Sequence, residues 1–216
     1  MARPLIILGT GGGVHDVLDA VQALNAVRPT FEPIGFLDDV RPSGTEHLGL
    51  SVLGPLTDAA RFSEALLINA IGSDQSYARR PAIVASTGLP PDRFATIVHP
   101  GASVSSHARL GCGVLIAFGA SVGGGATVGD HATLCPLAIV GHDATIGPHA
   151  LLAPGAIVSG HARLGEACYV GAGATVRQLL IIGAAALVGM GAVVTRDVAE
   201  RAVVWGSPAR RREAAR

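Results

Sequence analysis

Histidine exchanges protons near neutral pH, so the eight histidines of this 216-residue chain are the first candidates for acid–base chemistry. His142 is followed directly by Asp143, which gives one imidazole an acidic neighbour that can orient the ring and stabilise its cation. A general base of this kind can remove a proton from an amine or a hydroxyl group as that group attacks an electrophile. His142 and Asp143 are therefore the candidate catalytic pair.

A six-residue repeat runs through the chain around His142 and must position it. Every sixth residue from Val98 to Val194 is aliphatic, and the residue four places further on is Ala in thirteen of the seventeen repeats. The residue directly after the aliphatic one is Gly in nine repeats. Because side chains alternate along a strand, the small residue and the next aliphatic residue both point inwards, and the positions between strands form a corner. Three strands complete a coil of eighteen residues, so the repeat predicts a parallel β-helix of five to six coils.

The other histidines of the repeat occupy a different position. His107, His131, His149 and His161 share the fourth place of the repeat, an outward corner, where we expect side chains that are solvated or that face another subunit. His131 and His149 are eighteen residues apart and should stack on neighbouring coils, and His142 and His161 should nearly do so. A zinc site needs at least three converging ligands. No third ligand is evident in the sequence, so we expect no metal.

The composition excludes several classes of function. The chain is 49% hydrophobic and 15% charged with a net charge of zero, so we expect no surface for nucleic acid or for a membrane. All sixteen basic residues are arginine, which excludes a lysine Schiff base and a lysine-containing phosphate loop. Three scattered cysteines provide no disulfide framework, and the first residues resemble neither a signal peptide nor a membrane span. We therefore expect a cytoplasmic protein.

Residues 1–95 have a different pattern, in which short apolar runs alternate with segments of helical spacing. This order predicts a small Rossmann-like α/β domain with a parallel sheet, which binds its ligand at the carboxyl ends of the strands. The β-helix domain with a C-terminal tail then occupies residues 96–216. Strands are predicted at residues 5–8, 34–37 and 66–72, and helices at residues 14–24 and 76–86.

The first predicted strand ends in a glycine-rich turn, and the second ends in two acidic residues. Backbone amides at a helix start can hold a phosphate, and acidic side chains after the next strand can accept hydrogen bonds from a ribose or a base. The turn is incomplete as a dinucleotide motif because Val14 replaces its third glycine, and a tight turn with solvated acids would give the same pattern. The candidate substrate-binding residues are Gly9, Gly11, Gly12, Gly13, Asp38 and Asp39.

The combined pattern resembles a known family of bacterial enzymes. The array of hexads and the segment from Val204 to Arg210 that follows it resemble the hexapeptide-repeat acyltransferases, whose β-helix is left-handed. The glycine turn, the strand end from Phe36 to Asp39 and the His142–Asp143 pair resemble, more narrowly, the acetyltransferases that act on nucleotide-linked amino sugars. These include the bacillosamine and perosamine N-acetyltransferases and the sialic-acid O-acetyltransferase-like proteins.

The resemblance implies an acetyl-CoA-dependent N-acetyltransferase for a nucleotide-linked amino sugar, with direct transfer and no metal. It also implies that the N-terminal domain holds the nucleotide, that the β-helix forms a homotrimer, and that acetyl-CoA lies in a groove between the β-helices of two neighbouring subunits. His142 would be the catalytic base and Asp143 its partner. The implied cofactor-binding residues are Gly160, whose amide would face the thioester oxygen, and Ala172, Gly189, Met190 and Gly191 along the pantetheine. An O-acetyltransferase and a non-catalytic trimer that binds a nucleotide sugar are the alternatives.

Three positions depart from the family that the chain resembles. Gly13 stands where relatives usually carry a histidine, Leu151 where they often place a second histidine, and Cys135 where an asparagine is common. The departures concern the contacts to the acceptor and the cofactor, and the base is retained. A thiol at position 135 would also permit a covalent acyl-enzyme, although direct transfer needs none.

Overall fold

The protein is described by a computed structural model that covers residues 2–211. A five-stranded sheet with two α-helices comes first along the chain, and a three-sided β-helix follows. Short 3-10 helices lie at Leu56–Arg61, Tyr77–Arg79 and Pro91–Arg93. The elements of the first part are β1 (Arg3–Leu8), α1 (Gly13–Val27), β2 (Phe31–Leu37), β3 (Glu46–His47), β4 (Leu50–Gly54), β5 (Leu66–Asn69) and α2 (Arg80–Ala85).

The sheet has the strand order β3-β4-β2-β1-β5. Strand β1 pairs in parallel with β2 and β5, and β2 pairs in parallel with β4. Strand β1 is apolar because both of its faces are covered, and its side chains from Leu5 to Leu8 are completely buried. The predicted parallel sheet is confirmed, and at one edge it is extended by β3, which forms an antiparallel hairpin with β4. Strand β3 has two residues and pairs only with β4, whereas β4 also pairs with β2.

The β-helix consists of seventeen two-residue strands, and the second residue of each is the aliphatic residue of the repeat. Two further strands follow, β23 (Val203–Trp205) and β24 (Arg210–Arg211). The seventeen are β6 (Ile97–Val98), β7 (Ser103–Val104), β8 (Arg109–Leu110), β9 (Leu115–Ile116), β10 (Ser121–Val122), β11 (Thr127–Val128), β12 (Thr133–Leu134), β13 (Ile139–Val140), β14 (Thr145–Ile146), β15 (Leu151–Leu152), β16 (Ile157–Val158), β17 (Arg163–Leu164), β18 (Tyr169–Val170), β19 (Thr175–Val176), β20 (Ile181–Ile182), β21 (Leu187–Val188) and β22 (Val193–Val194).

Each strand pairs in parallel with the strand eighteen residues later, as Thr133 does with Leu151, so the predicted coil length is confirmed. Three faces result. Face A contains β6, β9, β12, β15, β18, β21, β23 and β24; face B contains β7, β10, β13, β16, β19 and β22; face C contains β8, β11, β14, β17 and β20. The inward aliphatic and small residues form one continuous core from Val114 to Val204.

The corners between the faces carry the residues of functional interest. Strand β13 of face B and strand β14 of face C meet at the BC corner, which carries His142 and Asp143. The AB corner carries residues 189–191, and the CA corner carries His131 and His149. The first part of the chain packs on face A, where Leu115 shares a cluster of buried residues with the sheet. The BC corner is the one opposite face A.

Within residues 2–211, no helix combines the length and the apolar character that crossing a bilayer would require.

Candidate functional site

A pocket of about 300 Å³ lies at the carboxyl edge of the sheet, where the first turns of α1 and α2 approach each other. The structure brings all six predicted substrate-binding residues to this pocket. Polar residues that the sequence did not single out also line it: Thr10, Ser73, Ser76 and Arg79. The predicted lining residues are Gly9, Gly11, Gly12, Gly13, Asp38 and Asp39.

Two glycines of the turn are required by close approaches of the backbone. Gly9 has a φ of +92°, and a Cβ there would collide with the side chain of Ile71. A Cβ on Gly13, the first residue of α1, would lie 2.5 Å from the carbonyl oxygen of Ala70. The histidine that the resemblance would place at position 13 would therefore not fit this chain unless the end of β5 moved away from α1.

The two acidic residues hold the rim of the pocket in place. Asp38 accepts hydrogen bonds from the Thr10 hydroxyl at 2.7 Å and from the amides of Val40 and Arg41 at 2.7 and 3.1 Å, and Asp39 accepts one from the amide of Leu56 at 2.9 Å. Burial alone would raise the pKa of Asp38, but these hydrogen bonds outweigh burial and lower the pKa below its usual value. Asp38 thus stays ionised, and the two acidic residues give the pocket a hydrogen-bond-accepting rim.

His142 and Asp143 form a hydrogen-bonded pair on the BC corner. Nδ1 of His142 lies 2.9 Å from Oδ2 of Asp143, and the side chains are 65% and 51% exposed. With Nδ1–H donating to the carboxylate, Nε2 of the imidazole carries the lone pair and can accept a proton. A Cβ on Gly160 would lie 2.7 Å from this Nε2, so only glycine leaves room for the ring. The structure therefore places the predicted Gly160 directly beside the predicted base.

His161 joins this pair from the next coil; the spacing of the repeat predicts that it lies near His142, but its approach to Asp143 was not anticipated. Its Nε2 lies 3.8 Å from Oδ2 of Asp143, and its ring meets the ring of His142 edge-on with centroids 4.9 Å apart. The signal was present in the sequence, because eighteen residues, one full coil, separate Asp143 from His161. The expectation that no third metal ligand stands near His142 is therefore wrong.

His131 and His149 are covered by the first part of the chain. Their rings stack with centroids 4.9 Å apart, and Phe94 meets the ring of His131 edge-on at 4.6 Å. Burial lowers the pKa of both, and burial together with the charges of His131 and Arg80 lowers that of His149 to about 4. The expectation of solvated or subunit-facing side chains is wrong for these two, because the repeat alone does not reveal which corner the sheet covers.

The departures at positions 135 and 151 lie at the junction of the two parts rather than beside His142. Burial raises the pKa of the Cys135 thiol to about 12, so this group is a neutral thiol and a poor nucleophile at physiological pH. Leu151 is buried on face A, and a Cβ on Gly72 would lie 2.5 Å from its side chain. Neither residue provides an alternative to the histidine pair.

The remaining predicted cofactor-binding residues lie at another corner. Ala172, Gly189, Met190 and Gly191 are on the AB corner, where the amide of Gly191 donates to the carbonyl of Ala172 at 2.8 Å. The AB and BC corners both border face B, so Gly160 and this group flank one face without coming together. Their contact with acetyl-CoA stays a prediction.

The fold and the site can be described before any comparison: the chain forms a closed prism of six-residue repeats and presents an exposed, hydrogen-bonded histidine–aspartate pair on one corner. The family model described as bacterial transferase hexapeptide (six repeats) matches residues 143–178. No curated protein matched the sequence. Solved structures matched over the whole chain.

Three solved structures illustrate the similarity. A variant of perosamine N-acetyltransferase from Caulobacter crescentus, in complex with CoA and GDP-perosamine, is 28% identical with a TM-score of 0.86 over 98% of this chain and 97% of that one. The acetyltransferase domain of PglB from Neisseria gonorrhoeae, in complex with acetyl coenzyme A, is 27% identical with a TM-score of 0.83 over 98% and 100%. WeeI from Acinetobacter baumannii is 26% identical with a TM-score of 0.81 over 96% and 98%.

These matches confirm the fold class and the resemblance inferred from the sequence. The chain combines a Rossmann-like α/β part with a left-handed parallel β-helix. Its similarity to hexapeptide-repeat acyltransferases of the nucleotide-amino-sugar type extends over both parts.

Proposed function

We propose that the protein is an acetyl-CoA-dependent N-acetyltransferase that acetylates an amino group of a nucleotide-linked sugar. The observation that carries this proposal is the His142–Asp143 pair, which presents a free imidazole Nε2 on a rigid corner. The same chain holds a pocket of the size that small-molecule ligands occupy. The relatives support it, because one was solved with CoA and GDP-perosamine and another with acetyl coenzyme A.

The geometry supports direct transfer with one residue as base and then acid. Nε2 of His142 takes a proton from the sugar amine as the amine attacks the thioester carbonyl, and the C–N bond forms. Asp143 holds Nδ1–H and stabilises the imidazolium. The imidazolium then returns the proton to the CoA sulfur as the C–S bond breaks, which gives an amide and a free thiol. In this proposal the amide of Gly160 donates to the carbonyl oxygen while it is negatively charged.

The two parts of the chain have separate roles in this proposal. Residues 1–95 hold the nucleotide in the pocket at the sheet edge, and residues 96–216 hold acetyl-CoA with Gly160 and the group at the AB corner. All three cysteines in the described residues are free, which is consistent with the cytoplasm as the compartment of the reaction.

The proposal includes a homotrimer, because one chain does not complete the site. Gly72 on the pocket wall lies against Leu151 of face A, whereas His142 lies on the corner of the prism opposite that face. Large apolar side chains are also exposed along the AB corner: Phe118 and Leu137 are each 59% exposed, and Met190 is 80% exposed. Exposed apolar surface of this kind marks an interface. Three-sided prisms that pack in parallel close most simply as a cyclic trimer, which brings the pocket of one chain towards the corner of another.

Light scattering on dilute protein tests the assembly. We expect a mass near three times the chain mass of 21.7 kDa. A matched pair of variants strengthens the test: Met190→Glu should lower the mass, whereas Glu166→Gln on the CA corner, where the side chain is also exposed, should not. A fully active monomer would contradict both the trimer and the shared site.

An assay of the metal-free protein tests the activity itself. Acetyl-CoA is mixed with nucleotide-linked amino sugars, and both free CoA thiol and a product heavier by one acetyl group are measured. We expect transfer to an amino sugar and none to the same nucleotide sugar with a hydroxyl in place of the amine. Transfer to the hydroxyl alone would favour the O-acetyltransferase, and binding without transfer to either would favour the non-catalytic trimer.

Replacement of both Asp38 and Asp39 by alanine tests the pocket. Because these carboxylates fix the rim, we expect the KM of the nucleotide sugar to rise about tenfold or more, in line with the loss of one or two hydrogen bonds to a charged group. The KM of acetyl-CoA should stay within about twofold, since the cofactor lies elsewhere. Asp92→Ala, which removes an exposed carboxylate outside the pocket, is the control. Equal changes in both KM values would indicate damage to the fold and contradict a dedicated nucleotide pocket.

A further inference from the structure

The BC corner brings three metal-binding side chains together. His142, Asp143 and His161 each offer one ligand atom, and these atoms all lie within 4.8 Å of one another. Within residues 2–211 this is the one group of three such side chains that approach so closely. Acetyl transfer as proposed above uses His142 and Asp143 but gives His161 no part. The position of His161 beside the other two side chains is therefore not explained by the proposed reaction.

We propose that these three side chains form a binding site for a divalent cation of the zinc class, and that the bound cation switches off the catalytic base. Two imidazoles and one carboxylate are a donor set that suits zinc and its neighbours in the first transition series, and three protein ligands leave a fourth position open. Donor atoms on a tetrahedral zinc ion are separated by about 3.3 Å, given bond lengths of about 2.0–2.1 Å. The observed separations from Oδ2 of Asp143 are 2.9 Å to His142 and 3.8 Å to His161, so a small rotation of the exposed rings completes the site.

The backbone beneath the cluster is rigid, which favours a defined site over a chance approach. Asp143 and His161 are one coil apart on the same corner, with nearly equal φ angles of 56° and 57°. The amide of His161 donates to the carbonyl of His142 at 3.0 Å, and the flanking strands pair in register. Sites built on regular elements hold their ligands more accurately than sites on loops.

The other close histidine pair in the chain does not offer an equivalent site. His131 and His149 are covered by the first part of the chain, and the guanidinium of Arg80 donates to the carbonyls of both. A fixed positive charge at this distance opposes the entry of a cation. The BC corner, in contrast, is open to solvent and contributes a carboxylate.

Binding of the cation through Nδ1 of His142 would remove the lone pair that catalysis needs. In the active form the proton of the neutral imidazole is on Nδ1 and the lone pair is on Nε2. When a cation takes the lone pair of Nδ1, the single ring proton must reside on Nε2, which can then donate but not accept. The cation also withdraws Asp143 from the ring. This inhibitory role rests on the proposed function, whereas the binding site itself does not.

Calorimetric titration with zinc chloride, on trimeric protein freed of metal by a chelator, tests the site without any assay of activity. We expect one zinc ion per chain for the unmodified protein. His161→Asn, which keeps a residue that tolerates the left-handed backbone, should weaken binding by roughly tenfold or more because one of three ligands is lost. His107→Asn is the matched control, since His107 is an exposed histidine two coils away on the same corner, and its binding should match the unmodified protein.

Cobalt(II) as the probe identifies the ligands, and a rate ratio tests the inhibition. We expect a visible d–d spectrum without a thiolate charge-transfer band. The proposal would be overturned by a thiolate band, by absence of binding, or by unchanged binding in His161→Asn.

Each variant's transfer rate with zinc is then divided by its own metal-free rate. Zinc should lower this ratio for the unmodified protein and for His107→Asn far more than for His161→Asn. Zinc binding that depends on His161 in a protein with no metal-free transfer would support the site and contradict the proposed acetyltransferase.

Discussion

His142→Ala is expected to lower the rate of acetyl transfer by about 10²–10⁴-fold, the range that a positioned general base contributes. The side chain is exposed on a corner and contributes nothing to the buried core, so the variant should fold normally. The binding of CoA should be nearly unchanged, because the base acts on the amine of the acceptor. Single-turnover transfer and calorimetric binding of CoA separate the two effects.

The choice of substitution at this corner matters for the interpretation. Alanine at position 142 removes the ring without touching Gly160, whereas a larger residue at position 160 would displace the ring. Circular dichroism and the mass in solution serve as controls for fold and assembly. A variant that kept more than about a tenth of the unmodified rate, under conditions in which chemistry limits turnover, would show that His142 is not the base.

The β-helix could be predicted from the sequence because its determinants are local. Each hexad specifies its own strand and corner, and the same rule applies in every coil, so pairing partners eighteen residues apart follow by counting. The handedness could not be derived in this way. It came from the resemblance, because the usual right-handed preference of parallel crossovers would have suggested the opposite.

The pocket could be predicted to a similar degree, since parallel strands carry ligands at their carboxyl ends. Asp38 and the glycine turn meet there for that reason. Ser76 and Arg79, which lie just before α2, were missed because nothing in their own sequence marks this segment as part of the pocket wall. The antiparallel hairpin of β3 and β4 was missed because β3 is only two residues long and carries no periodicity of its own.

The contact between the sheet and the β-helix could not be predicted from the sequence patterns. Six-residue periodicity makes the three corners equivalent, so it does not reveal that His131 is buried while His161 is exposed. The burial of an arginine also cannot be predicted from the residues next to it in the sequence. Arg80 looks like half of an exposed Arg79–Arg80 pair, but only Arg79 is exposed.

Arg80 joins the two parts of the protein through buried hydrogen bonds. Its side chain is 1% exposed, and among residues 2–211 it has no carboxylate partner within ion-pair distance. Nη1 donates to the carbonyl of Ile71 at 2.6 Å, on the wall of the pocket. On the β-helix, Nε donates to the carbonyl of His149 at 3.0 Å, and Nη2 donates to the carbonyl of His131 at 2.6 Å and to the Thr133 hydroxyl at 2.9 Å. Burial lowers the pKa of Arg80 to about 10, so the group stays protonated at neutral pH.

Arg80→Met is therefore expected to destabilise the protein by about 3 kcal/mol, because it leaves buried carbonyl groups without donors while it keeps most of the apolar stem. Loss of the unfavourable burial of a charge offsets part of the effect. Urea unfolding at a fixed protein concentration measures the change, and Arg79→Met, at the exposed neighbour, should alter the free energy of unfolding by less than about 0.5 kcal/mol. We also expect the KM of the nucleotide sugar to rise, because Ile71 and the start of α2 lose their anchor on the β-helix. If Arg80→Met unfolded at the same urea concentration as the unmodified protein, the buried guanidinium would not be needed to hold the first part of the chain on the β-helix.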